Sequence, residues 1–270
     1  MTAAVKVAAI GLPLVLVAVL AVETVLATAA EYLPADPGFV VDAVVGPLTG
    51  ARGVPNPAVA AGEPVELALL GDSTVAGVGS PTQRESLAAL VAQRVVDQLG
   101  RPVHVVGLGV PGARTATVRD GQVPLLRELD PDVVLIVIGS NDVTHLTAPW
   151  TLGALTTTLI EDARRAAGAP VVIGGIPQFR TVPALLQPLR WVVGRYASVL
   201  REVQRDAATA AGAPYVDIAA LASPRFLGKP ESMSSDGFHP SPLGYGFWAD
   251  ALAPVVADAA TRSGPAPGGR

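Results

Sequence analysis

Val133–Ile138 reads Val-Val-Leu-Ile-Val-Ile, an apolar, largely β-branched run with nothing polar to offer either face. A strand of that kind must be covered on both sides, which is the position of a central strand in a parallel sheet. The chain around it alternates in the way such a sheet requires. Val65–Leu70, Val103–Val106, Val171–Ile173 and Tyr215–Ile218 are short apolar runs of strand character. Between them lie stretches with helical spacing: Glu85–Leu99 (Leu87, Leu90, Val91, Val95, Leu99), Val118–Leu129, Trp150–Ala167 and Val192–Ala211. Gly100, Gly168 and Gly212 stop three of them, and Ser241-Pro242 opens a last helix that is expected to run to about Asp258.

Strands separated by helices imply right-handed crossovers. The pattern therefore predicts a three-layer α/β/α sandwich with a parallel, flavodoxin-like five-stranded sheet over residues 65–258. Ahead of it, Val7–Val22 is unbroken by any charge, with Lys6 before it and Glu23 after it. The run is longer than the roughly 7–15 residues of a signal-peptide core and shorter than the roughly 18 of a membrane span. Ala27-Thr28-Ala29 has the small-x-small form of a cleavage site. Residues 1–30 are thus expected to direct export, as a cleaved signal peptide or a retained membrane anchor at the outer face of the cell membrane. Residues 31–64 are rich in Pro and Gly and read as a linker, with a short helix expected at Val40–Val45. Residues 259–270 are expected to be a disordered tail.

Composition removes several function classes. The net charge is −4 and no long basic run occurs, which argues against a nucleic-acid partner. With no Cys, thiolate metal sites and cysteine nucleophiles are impossible, and no two of the three His have ligand spacing. Gly107-Leu108-Gly109-Val110-Pro111-Gly112 matches a dinucleotide fingerprint, but it follows the second strand and Pro111 sits where a helix should open. No cofactor or metal is expected. Asparagine stands only at Asn56 and Asn141, and histidine only at His104, His145 and His239, so each draws notice as a functional candidate.

Open α/β sheets bind ligands beyond the carboxyl ends of their strands, and polar groups collect there. The first strand runs into Gly71-Asp72-Ser73, the second into Gly107–Thr115, and the third into Gly139-Ser140-Asn141-Asp142; Ser235-Asp236-Gly237-Phe238-His239 follows the fifth. In order and position these four blocks resemble the SGNH (GDSL-type) hydrolase superfamily, and exported actinobacterial GDSL esterases in particular. The resemblance covers about residues 65–258. Gly107 stands where the family often has Asn, a position that is not an oxyanion donor. The resemblance implies Ser73 as nucleophile, His239 as general base and Asp236 as the residue orienting the imidazole. It also implies an oxyanion hole of the Ser73 and Gly112 backbone N–H groups and the Asn141 side chain.

Serine needs an adjacent base to become nucleophilic, and that base needs a partner to fix its tautomer. The implied activity is hydrolysis of short- or medium-chain acyl esters or lipids. The alternatives are a deacetylase or acyltransferase acting on envelope polysaccharide or glycolipid, and a non-catalytic binding module. Phe179, Leu185, Leu186, Leu189, Trp191, Phe226, Leu227 and Met233 are candidates to line an acyl pocket. Asp72 and Asp142 are expected to brace their turns and His104 to be structural. His145 is read as a solvated loop residue or a pocket-rim residue.

Overall fold

A computed structural model describes residues 19–24, 33–49, 54–55 and 63–263. Its centre is a six-stranded sheet of order β1-β5-β4-β6-β7-β8, formed by β1 (Asp42–Val45), β4 (Val65–Gly71), β5 (Val103–Gly107), β6 (Val133–Val137), β7 (Val171–Gly174) and β8 (Tyr215–Val216). β2 (Leu48–Thr49) and β3 (Val54–Pro55) form a separate two-stranded pair. From β5 to β8 the sheet is parallel, as the alternation predicted, and its order is the expected flavodoxin-like one. β6 is buried at every position.

The expected five-stranded, all-parallel sheet needs correction, because β1 makes it mixed. The segment Val40–Val45, expected to be helical, instead supplies this strand, antiparallel to β5 with Asp42 opposite Val106 and Val45 opposite Val103. Its alternating exposure is that of a strand with one face on the protein. An uncovered β5 would present a row of unpaired backbone groups, and pairing with β1 satisfies them. Short-range periodicity carries no trace of that demand, which comes from an edge far along the chain.

Helices cover both faces. α1 (Ser73–Ala76), α2 (Leu87–Leu99), α3 (Thr115–Gly121), α4 (Leu126–Leu129), α5 (Ser140–Thr144), α6 (Pro149–Ala167), α7 (Leu189–Ala210), α8 (Ile218–Leu221) and α9 (Pro242–Ser263) follow one another between the strands. Alternate residues of each strand feed opposite layers. Leu67, Leu69 and Leu135 pack with Val91 and Val95 of α2 and Leu252 and Val256 of α9. Leu70, Val134 and Ile136 pack with Leu159, Ile160 and Ala163 of α6.

The helix expected over Val118–Leu129 divides into α3 and α4 around Pro124, which cannot donate to a helical ladder. α9 runs past the expected end at Asp258 to Ser263, into the segment expected to be disordered. Residues 264–270, most of the apolar run Val7–Val22 and the Ala27–Ala29 site lie outside the described residues. Residues 19–24 are helical, and among the described residues no helix is long and apolar enough to cross a membrane.

Candidate active site

Ser73 is the first residue of α1, at the sharp turn where β4 ends. Asp72 shapes that turn: its Oδ1 accepts from the Thr74 amide at 3.0 Å and the Thr74 hydroxyl at 2.9 Å. Burial raises the pKa of Asp72, and the Thr74 bonds oppose the shift. The glycine-rich loop after β5 lies hard against this turn. A Cβ on Gly109 would overlap the Ala76 amide nitrogen and the Asp72 carbonyl oxygen, so only glycine allows the approach. Gly112, three residues on, holds φ at 79°, a conformation that also favours glycine.

His239 and Asp236 share one tight loop after α8. The loop closes on itself through Gly237 N to Ser234 O (2.9 Å) and Ser234 N to His239 O (2.8 Å). Asp236 turns back on its own chain, and its Oδ1 accepts from the amides of Phe238 and His239, both at 2.9 Å. Its Oδ2 lies 2.6 Å from His239 Nδ1, and His239 Nε2 lies 2.9 Å from Ser73 Oγ. Burial pushes the Asp236 carboxyl up, but the His239 hydrogen bond and the two amides outweigh it and hold its pKa down at about 2. The carboxylate is therefore charged at neutral pH and is aimed at the ring.

Asn141 lies on α5, just beyond β6. Its Nδ2 donates to Ala113 O at 3.0 Å, and its distance to Asp72 Oδ2 is 3.5 Å. One of its two protons is thus engaged, the amide plane is fixed, and the second proton has only a long contact. Asp142 ties the neighbouring loops together. It accepts from the Thr115 amide (3.0 Å) and hydroxyl (2.8 Å) and from the Thr147 hydroxyl (2.9 Å). Both aspartates therefore brace turns, as expected from sequence.

Ser73, Gly112, Asn141 and His239 line one cavity of about 670 Å³. Its remaining wall is mainly apolar and includes Leu33, Val143, Leu146, Leu185, Leu189, Val193 and Phe238. A smaller cavity of about 50 Å³ also reaches Ser73 and is lined by Phe179, Phe226, Met233 and Trp248. The expected lining residues thus divide. Leu185 and Leu189 line the large cavity, while Phe179, Phe226 and Met233 line the small one. Leu186, Trp191 and Leu227 are exposed. His145 is solvent-exposed, with its Nδ1 2.9 Å from Asn141 O, and it borders the large cavity. Among the described residues no cluster of three His, Asp or Glu side chains forms a metal site.

Two residues that sequence reasoning passed over hold these strand ends in place. Gln122 Oε1 accepts from Gly71 N at 2.9 Å and its Nε2 donates to Gly71 O at 2.8 Å, directly before the Ser73 turn. Gln204 of α7 donates to Ile138 O at 2.9 Å and accepts from Ile176 N at 3.2 Å, joining the ends of β6 and β7. Both side chains are buried. The one signal for them in the sequence is a long polar residue inside a stretch with helical spacing, although Gln122 itself falls in the turn just after α3.

Residues 69–247 match the model of the GDSL-like lipase/acylhydrolase family. The chain is similar to the GDSL-like esterase Rv1075c of Mycobacterium tuberculosis, at 34% identity over 202 residues. That match spans 73% of this chain and 63% of the relative. Among solved structures, TesA matches with a TM-score of 0.56 at 26% identity, over 70% of this chain and 96% of that one. The lipase/acylhydrolase of Enterococcus faecalis matches with a TM-score of 0.55 at 24% identity, over 72% and 96%. With the family model covering most of the chain and the four motif blocks at one edge of its sheet, this chain belongs to the GDSL-like lipase/acylhydrolase family.

Proposed function

We propose that the chain is an exported serine esterase that cleaves short- or medium-chain acyl esters through an acyl-Ser73 intermediate. The observation that carries this reading is the hydrogen-bonded chain from Asp236 through His239 to Ser73, at 2.6 and 2.9 Å. It opens on a largely apolar cavity whose volume of about 670 Å³ is that of a small-molecule site. An apolar wall favours an acyl chain over the polar surface of an acetylated polysaccharide. Export rests on the apolar run Val7–Val22; access of added protease to the chain in spheroplasts tests it.

In the acylation step, His239 Nε2 takes the Ser73 hydroxyl proton as Oγ attacks the ester carbonyl carbon. The carbonyl oxygen becomes an oxyanion, which the Ser73 and Gly112 N–H groups and the second Asn141 Nδ2 proton receive. Asp236 keeps the Nδ1 proton in place and stabilises the imidazolium that forms. The C–O bond to the alcohol then breaks, and the leaving oxygen takes the proton from His239. In the second half, His239 deprotonates a water that attacks the acyl carbon, the free acid leaves, and the proton returns to Ser73.

The test uses the purified full chain with p-nitrophenyl esters of increasing acyl length beside acetylated xylan. Turnover of the acyl esters is expected, together with Ser73-dependent labelling by a fluorophosphonate. Absence of ester turnover by the wild type, or undiminished turnover by Ser73→Ala, would refute the reading. Preference for acetylated xylan would replace it with a polysaccharide deacetylase.

A further inference from the structure

The family match begins at residue 69, yet part of the cavity wall is built by residues upstream of it. Thr24, Leu33 and Ala35 face the same cavity as Leu185, Leu189 and Val193. Two polar contacts fix this upstream segment. Glu23 is 8% exposed, and its Oε2 accepts from the amide of Leu189, the first residue of α7, at 2.8 Å. The preceding Pro188 offers no side-chain cap there, so a carboxylate from outside the family-matched region caps a 22-residue helix. The second contact is at the candidate triad itself. Leu33 N donates, over a long 3.4 Å, to Asp236 Oδ2, the oxygen that also faces His239 Nδ1.

Downstream the chain stays bound. The Phe39 ring packs so closely on Gly77 that a Cβ there would overlap it. Gly107 N donates to Val41 O at 2.8 Å, and β1 then enters the sheet. A buried carboxylate left without its partner is costly, so Glu23, directly after the long apolar run, ties that run to the rim of the cavity.

We infer that the described stretches 19–24 and 33–35 form a wall of the active-site cavity that selects the acyl chain, and that they stay with the catalytic domain. The inference rests on the esterase reading for the identity of the ligand, but not for the docking of the segment. Cleavage after Ala29 would remove Glu23 and Thr24, uncap α7 and open the cavity on that side. On this reading the stretch that carries Glu23 is retained by the mature chain. An acyl chain bonded to Ser73 would run through the cavity that Leu33 and Leu189 both line. A mismatch of about one methylene in such a slot changes discrimination by roughly 10-fold or more.

The experiment uses the full chain in mild detergent and compares wild type with Leu33→Trp and Glu23→Ala. The first readout is the ratio of kcat/KM for p-nitrophenyl octanoate to that for p-nitrophenyl butyrate. Leu33→Trp fills the slot, so the ratio is expected to fall by about 10-fold or more; Glu23→Ala loosens the wall and moves the ratio as well. The second readout is hydrogen exchange at the Leu33 and Leu189 amides, which needs no turnover. Both are expected to be protected in the wild type, and Leu189 is expected to exchange faster in Glu23→Ala. A ratio unchanged in both variants overturns the inference, as does exchange of both wild-type amides at open-chain rates. If the wild type turns over neither ester, the esterase reading fails, and the amide protection alone decides whether the wall stands.

Discussion

Gln122 offers a direct measure of how the turn that carries Ser73 is held. Its side chain makes both halves of a backbone-like pair with Gly71, at 2.9 and 2.8 Å, in a site where Gln122 is 3% exposed. Gln122→Met keeps the length and removes both bonds. The two halves are not equivalent. Gly71 O retains a second donor, the amide of Val110 at 3.1 Å, so its loss is an ordinary net hydrogen bond of about 0.5–1.5 kcal/mol. Gly71 N–H loses its acceptor while buried and carries a desolvation penalty of about 1–3 kcal/mol. The expected destabilisation is therefore about 2–4 kcal/mol. Urea denaturation followed by far-UV circular dichroism would show it as a lowered midpoint at unchanged slope. A loss under about 1 kcal/mol would mean that Gly71 finds another partner, and the clamp would not be what fixes the turn.

Further expectations follow from the same geometry. Asp236→Asn keeps the shape but reverses the hydrogen-bonding demand on His239 Nδ1, and kcat is expected to fall by about 10⁴ in ester hydrolysis. His104 lies 2.8 Å from Asp42 on β1 and 2.6 Å from Glu66 on β4. The Asp42 bond, opposed by burial and aided by Glu66, raises its pKa. A raised folded-state pKa contributes stability that is present below the unfolded value of 6.5 and disappears as the pH rises through the folded value. The Tm difference between wild type and His104→Leu is therefore expected to be largest in mild acid and to shrink as the pH is raised. A difference that grows with pH would contradict the assignment.

The central strands and most of the helices were legible because each is specified within its own few residues. Val133–Val137 can only be a doubly covered strand, and the glycines at 100, 168 and 212 mark helix ends at the ends they occupy. The site blocks were legible for the same reason: each places its polar residue directly after a strand. The glutamines at 122 and 204 were not, because what they bind lies 51 and 66 residues away, at Gly71 and Ile138. β1 was hidden by the same long range. Asp42–Val45 gains its conformation from the open edge of β5, and its composition alone suits a linker equally well.

These long-range contacts share one function. The groups that the proposed mechanism uses sit on four separate loops, after β4, after β5, after β6 and after α8, and contacts from elsewhere in the chain hold them. Gln122 holds the backbone before Ser73, Asp142 ties the loop after β6 to Thr115, and Ala113 O fixes the Asn141 amide. Donors that are already oriented need no reorganisation when charge develops on the substrate, and that is the origin of their catalytic value. Asp236 extends the pattern. Three of its four polar contacts come from its own loop, and the fourth comes from Leu33, upstream of the family-matched domain. The carboxylate that faces His239 Nδ1 is thus also where the N-terminal segment meets the candidate triad. On this geometry, loosening that segment is expected to disturb the histidine and the cavity wall together.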